Sequence, residues 1–327
     1  MGTGYRLHRR RRLADYAHPA RASRSLTTVT KHVRPLPREL IEPLRVKPGS
    51  KISLPGDFDP GHTASFLTED AAAADLQSSI AQLAEFQARL AAQDTFGLLV
   101  VLQAMDAAGK DGTIKHVMTG LNPASVEVHG FKVPSAVELN HDYLHRYAQA
   151  LPQRGQIGIF NRSHYEEVLV VRVHPDNLDR QHMPAAAKGK DVWKRRFREI
   201  NGWERYLVEN GIHVVKLFLN ISKDEQRQRF LDRINHPKKN WKFSAADVAE
   251  RHSWDAYQAA YSEVLSNTST EWAPWYVIPA DHKWFARLAA AAVIVDALAR
   301  IDPRYPTISK AQRDALAKSK HELLAET

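Results

Sequence analysis

The chain has 327 residues, 43% of them hydrophobic, enough for one large α/β domain or two small ones. It contains no cysteine, which excludes disulfides and thiolate zinc sites and makes a reducing, cytoplasmic setting the expectation. The net charge of +9 is unevenly held: residues 1–51 carry 13 Lys and Arg against 3 Asp and Glu, so the remainder is close to neutral.

Residues 1–50 read as a basic N-terminal arm, rich in proline (Pro35, Pro37, Pro43, Pro48) and without periodicity. The tight block Arg9 to Arg12 suits either a solvated extension or a tail that binds nucleic acid or another polyanion. The arm is Arg-rich and acid-poor like a transit peptide, and it lacks the apolar stretch of a secretory signal. No apolar run approaches the roughly 20 residues of a membrane span, so no membrane association is expected.

The body is assigned to residues 51–305 and a C-terminal tail to 306–327. Over 69–93, Leu76, Ile80, Leu83, Phe86 and Leu90 recur at spacings of three and four, which predicts a helix. Residues 97–102 form a short apolar run, read as a buried parallel strand. Further strands are predicted at 125–129, 157–160, 213–219 and 275–278. Helices are predicted near 110–119, 137–149, 192–210, 223–235 and 283–300. This alternation predicts an α/β fold with a parallel sheet and helices on both faces. Ligands on such sheets sit at the carboxyl ends of the strands.

The first strand runs into Ala104, Met105, Asp106, Ala107, Ala108, Gly109, Lys110, Asp111, Gly112 and Thr113. A strand, a Gly-containing turn and a helix in that order form the context of a phosphate-binding loop, whose backbone N–H groups face phosphate oxygens. Ala107, Ala108, Gly109, Gly112 and Thr113 are therefore candidate phosphate or nucleotide binders, and Lys110 brings a charge to the transferred group. Against the usual G-x-x-x-x-G-K-[ST], Ala104 replaces the first Gly and Asp111 replaces the Ser/Thr. Asp106 and Asp111 would repel a bare polyphosphate, and make sense beside a divalent cation or as a base. Asp111 equally suits a first helical turn.

The strand at 157–160 ends in a polar burst from Asn161 through Glu167. Arg162 is a candidate phosphate clamp through its planar fork, and Glu166 a candidate holder of metal-bound water. Alternatively the two form a helix-start ion pair. Arg146 and Arg154, just before the strand, are further phosphate candidates. Residues 222–262 read as a helical lid, with Arg229 and Arg233 one turn apart and a basic aromatic loop at Lys238, Lys239, Trp241, Lys242 and Phe243. Ser244 with Asp247 predicts a helix cap. Trp254 and Tyr257 are read as core packing.

The stretches 105–112, 159–170 and 240–244 together resemble the polyphosphate kinase type 2 family, over about residues 35–305. The resemblance implies a P-loop kinase-like three-layer fold with a helical lid. It implies reversible phosphoryl transfer between inorganic polyphosphate and nucleoside mono- and diphosphates such as AMP and ADP or GMP and GDP, with Mg2+, for which Mn2+ substitutes. Asp106, Lys110 and Asp111 match the family's modified Walker A loop, and Asn161, Arg162 and Glu166 its second motif. Arg229, Arg233, Lys239 and Lys242 match its lid cations. On this basis Asp106, Lys110, Asp111, Arg162 and Glu166 are the catalytic candidates, with Asp106 and Glu166 toward the metal. His164 and Tyr165 place the second motif nearest the subgroup accepting both mono- and diphosphates, while diphosphate-restricted subgroups tend to carry Asp where this chain has Asn161. A homo-oligomer, dimer or tetramer, is also implied. Two rivals are an ATP-dependent nucleoside monophosphate kinase and a nucleic-acid-binding protein acting through the arm.

Overall fold

The computed structural model describes residues 38–326. Five strands, β1 (Gly97–Ala104), β2 (Val126–Gly130), β3 (Ile157–Asn161), β4 (Ile212–Asn220) and β5 (Trp275–Pro279), form one sheet in the order β2-β3-β1-β4-β5. Every pairing is parallel. β1 lies at the centre, and its run Leu98 to Leu102 is almost wholly buried. Each such side chain contributes about 1.5–3 kcal/mol relative to exposure. That explains why a short continuous apolar run, rather than an alternating one, marks this strand.

The longer helices are α1 (Glu69–Gln93), α2 (Lys110–Val117), α3 (Val192–Glu209), α4 (Lys223–Asn235), α5 (Trp254–Thr268), α6 (Lys283–Ile301) and α7 (Lys310–Leu324). Thr68 caps α1 by accepting from the Ala71 N–H, and Ser222 caps α4 by accepting from the Glu225 N–H. Successive strand residues point to opposite faces. On β4, Leu217 lines an internal void with Ala290 and Ile294 of α6, while its neighbour Lys216 bonds Glu204 of α3. α6 and α3 therefore cover opposite faces of the sheet, giving three layers.

One expectation needs correction. The helix expected over 137–149 is two short ones, Ala136–Leu139 and His145–Ala148. Asp142 Oδ1 accepts from the Leu144 N–H at 2.9 Å, a local turn that competes with helix continuation. Residues 38–50 of the arm pack on the body: Leu40, Ile41, Leu44 and Val46 are buried in the core and Arg45 forms an antiparallel bridge to Tyr276. Residues 1–37 of that arm, with Arg9 to Arg12, lie outside the described residues. The tail contains α7, whose capping box pairs Ser309 with Gln312. Among the described residues no helix is long and apolar enough to cross a membrane.

Candidate active site

The central strand delivers the phosphate loop between its neighbours β3 and β4, where the chain's direction of growth across the sheet reverses. After Ala104 the backbone bends through Ala107 at φ 62° and Gly109 at φ 105° before α2 begins at Lys110. The left-handed region costs a non-glycine residue roughly 1–2 kcal/mol, so Ala107 holds its conformation only because neighbours over-determine it. Lys110 Nζ turns back to donate to the Ala104 carbonyl at 2.9 Å. Burial, then the charge of Arg162, lowers its pKa, while Asp106, Glu166 and Asp111 oppose that shift.

β3 ends beside β1, with Leu102 in register with Asn161. The next residue, Arg162, also takes a positive φ, 65°, and its backbone N–H bonds the Leu102 carbonyl at 3.1 Å. Its guanidinium reaches across to Asp106 Oδ1 at 3.1 Å and lies 3.8 Å from Glu166 Oε2. Burial works against the Arg162 charge, yet Glu166 and Asp106 hold its pKa above the ordinary value. Glu166 also accepts from Gln103 Nε2 at 2.9 Å, and Asn161 Nδ2 donates to Asp111 Oδ1 at 2.8 Å. Five predicted carboxylate or cation positions on two loops are thus brought into one cluster. Asn161 and Asp111 form an amide–carboxylate pair, so an Asp at 161 would set two carboxylates against each other.

Two cavities flank the Asp106–Arg162 pair. One, of 480 Å³, is lined by the loop and by Lys110, Lys132, Arg162 and Arg233 against Asp106 and Asp111. The other, of 360 Å³, is lined by Asp106, Glu166, Asp247 and Glu250 with Arg162, Arg251, Tyr257 and Tyr261. The first is net cationic and the second net acidic.

Several candidates stand elsewhere. Arg154 precedes β3, and so lies at the opposite end of the sheet; its guanidinium donates to the carbonyls of Thr95 at 2.7 Å and Asn210 at 2.9 Å. Thr113 is buried and lines the internal void beneath α2, not the loop cavity. Lys239 pairs with Asp232 at 2.6 Å on the outer side of α4. Lys242 closes the turn Pro237–Lys242, and its side chain lies outside the described set. Arg146 is engaged by Glu138 at 3.1 Å and by the Lys132 carbonyl at 3.0 Å. Ala107, Gly109 and Gly112 line the loop cavity, while Ala108 is buried behind it.

Other residues enter the site unforeseen. Ser244 makes no side-chain cap, and Asp247 instead approaches Arg233 Nη1 at 3.6 Å. Burial, then the neighbouring Asp106 charge, raises the Asp247 pKa. Glu250 accepts from Tyr257 Oη at 2.6 Å and meets His174 Nε2 at 2.5 Å, joining the lid to the chain beyond the second motif. Lys132 lies just past the carboxyl end of β2, where the parallel-sheet rule would have pointed. Within the second motif, His164 and Tyr165 are fully buried. Tyr165 Oη donates to Glu204 at 2.8 Å and accepts from Lys216 Nζ at 2.9 Å, and Glu204 also meets His164 at 3.3 Å. These two residues anchor the loop to the core and do not line either cavity.

A parallel three-layer sheet with a glycine-and-lysine phosphate loop on its central strand and a cationic lid helix above it defines a P-loop kinase-type protein. The profile described as Polyphosphate kinase 2 (PPK2) matches residues 66–306. The ADP-polyphosphate phosphotransferase of Rhodopseudomonas palustris is 46% identical over 284 residues, covering 86% of this chain and 97% of that protein. The AMP/ADP-polyphosphate phosphotransferase of Meiothermus ruber is 44% identical over 263 residues, 80% of this chain and 94% of that one. The crystal structure of polyphosphate kinase 2 from Arthrobacter aurescens TC1 matches with a TM-score of 0.75 at 41% identity, covering 85% of this chain and 96% of the other. The chain belongs to the polyphosphate kinase 2 family, and is a phosphotransferase of that kind.

Proposed function

We propose that this protein transfers phosphate reversibly between inorganic polyphosphate and nucleoside mono- and diphosphates, AMP and ADP first among them. The observation that carries the reading is the cluster at the ends of β1 and β3, where Lys110 and Arg162 meet Asp106, Asp111 and Glu166 beside the cationic cavity. A polyanion belongs in that cavity, held by loop amides with Lys110, Lys132 and Arg233. The acidic, tyrosine-lined cavity on the other side of Asp106 suits the uncharged nucleoside end of the second substrate. Arg162, between the two cavities, is placed to neutralise the group in transit. Such transfer needs in-line positioning and charge compensation more than covalent chemistry.

Asp106 and Glu166 are the residues that would hold a magnesium ion, or manganese in its place. Among the described residues no cluster of three or more His, Cys, Asp or Glu forms a closed metal site. Two carboxylates fit magnesium, which is usually bound by one or two of them together with waters and substrate phosphates. When bound, the ion supplies neutralisation of phosphate charge. Asp111, tied to Asn161, orients the acceptor side of the loop. A dimer or tetramer in the cytoplasm completes the proposal.

The test incubates the protein with AMP, ADP, GMP or GDP and polyphosphate as sole donor, with and without EDTA, and separates nucleotides by chromatography. ADP and ATP should form from AMP, and EDTA should abolish both. No product with any acceptor would sink the reading in favour of an ATP-dependent nucleoside monophosphate kinase. Conversion of diphosphates alone would restrict the acceptor class.

A further inference from the structure

We infer that Arg229, assisted by Gln226, is a positioning residue that fixes the phosphate loop from the base of the lid and does not itself bind phosphate. A loop that turns its N–H groups toward an anion turns carbonyls the other way, and buried carbonyls need donors. At this loop the donors come from α4. Gln226 Nε2 bonds the Asp106 carbonyl at 2.9 Å, and Arg229 Nη1 bonds the carbonyls of Ala107 at 3.1 Å and Ala108 at 2.7 Å. The same guanidinium fastens the loop to the end of β5, through Nη2 to Ala280 at 2.5 Å and Asp281 at 3.1 Å. Its Nε bonds Glu225 at 2.7 Å.

Arginine has five N–H donors, and here five acceptors take them. The side chain is 6% exposed and has nothing left for a phosphate oxygen. Arg233, one turn on, lines the cationic cavity, lies over the Phe230 ring and makes a longer 3.6 Å approach to Asp247. Arg229 also accounts for the left-handed Ala107, whose carbonyl it holds outward. The coupling continues into the lid, because Arg251 Nη1 donates to Gln226 Oε1 at 2.6 Å and to the Lys223 carbonyl at 3.0 Å. Displacing the base of α4 therefore displaces the carbonyls that shape the loop.

The inference rests on the reading that the loop binds phosphate, so tripolyphosphate binding to the wild type is measured first, by calorimetry across a salt series. The full chain is then compared with Arg229→Lys and Gln226→Met for binding, salt slope, kcat, KM and melting midpoint. Lysine keeps the charge and supplies at most three of the five bonds; methionine keeps the volume and removes one donor. Arg229→Lys should lower kcat about tenfold or more, since small misplacements of a reacting group are costly. Gln226→Met should lower it severalfold. Both should keep the wild-type salt slope; Arg229→Lys, which leaves at least two buried acceptors without a donor, should also lower the melting midpoint by several degrees, so rates are compared well below that midpoint. Arg229→Met supplies the contrast: loss of a phosphate contact would flatten the slope by about 0.7 in log–log terms. A flattened slope in that variant, or wild-type kcat in both conservative variants, overturns the positioning role. No tripolyphosphate binding by the wild type removes the phosphate reading itself, and the inference with it.

Discussion

The base and the tip of the lid carry arginines one turn apart on α4 and use them differently. At the base, Arg229 is buried and spends every donor on carbonyls and Glu225. Toward the tip, Arg233 lies over Phe230, faces the cationic cavity and approaches Asp247 of the following short helix. Equal spacing on one helix face thus yields one group that shapes the phosphate loop and one that is open to a ligand. The lesson is that a lid arginine is defined by how many of its donors remain uncommitted, which the structure states and the spacing does not.

Four substitutions or titrations break or sharpen that comparison. The largest effect belongs below the lid, at the bridge between the two strand-end loops. Arg162→Ala removes the cation between Asp106 and Glu166 and should reduce kcat/KM about a thousandfold, within the range for arginines that neutralise a phosphoryl group. Steady-state rates with ADP and polyphosphate check it, and a change under about tenfold would deny Arg162 that place. Next, Arg233→Ala should raise the polyphosphate KM about tenfold and flatten the salt slope, the signature of a lost direct contact. An unchanged slope would make the tip of the lid as structural as its base.

The third prediction is a pH limb. Burial and Arg162 hold the Lys110 pKa below its ordinary value of 10.5, so its charge disappears as pH rises through that lowered value. Tripolyphosphate affinity should therefore weaken at a pH below 10.5, and Lys110→Arg, which stays charged, should remove the limb. Calorimetric titration over that range reads it directly. The smallest effect on activity is expected at the far end of the sheet. Arg154→Ala should leave kcat/KM within about twofold while lowering the melting midpoint by a few degrees, because two carbonyls lose their donor. A collapse of activity with the fold intact would contradict its placement away from the site.

Much of this arrangement was legible in the amino-acid order. Buried strands announced themselves as continuous apolar runs, and α1 and α4 begin and end at the bounds read from the sequence. The loop at 104–113 and the burst at 161–167 follow from one rule, that ligands gather at carboxyl ends of parallel strands. The same rule, applied fully, rejects Arg154, which precedes its strand, and selects Lys132, which follows one. α7, in the stretch read as a tail, was not anticipated, although Ser309 with Gln312 forms a capping box. What sequence order did not reveal is allocation across distance. Arg229 meets carbonyls more than 100 residues away in the chain, and Asp247 turns from a local cap toward Arg233 only because the lid folds over the loop. His164 and Tyr165 lie within the polar burst after β3, yet the buried Lys216–Glu204 pair draws them into the core.

The most direct measurement follows the phosphate itself. The protein is incubated with uniformly 32P-labelled polyphosphate, unlabelled ADP and magnesium, with no other donor, beside Lys110→Ala checked for native circular dichroism. The site described here predicts label in the terminal phosphate of ATP with the wild type and at most about a thousandth of that rate in the variant. ATP free of label, or equal labelling by both proteins, would contradict it.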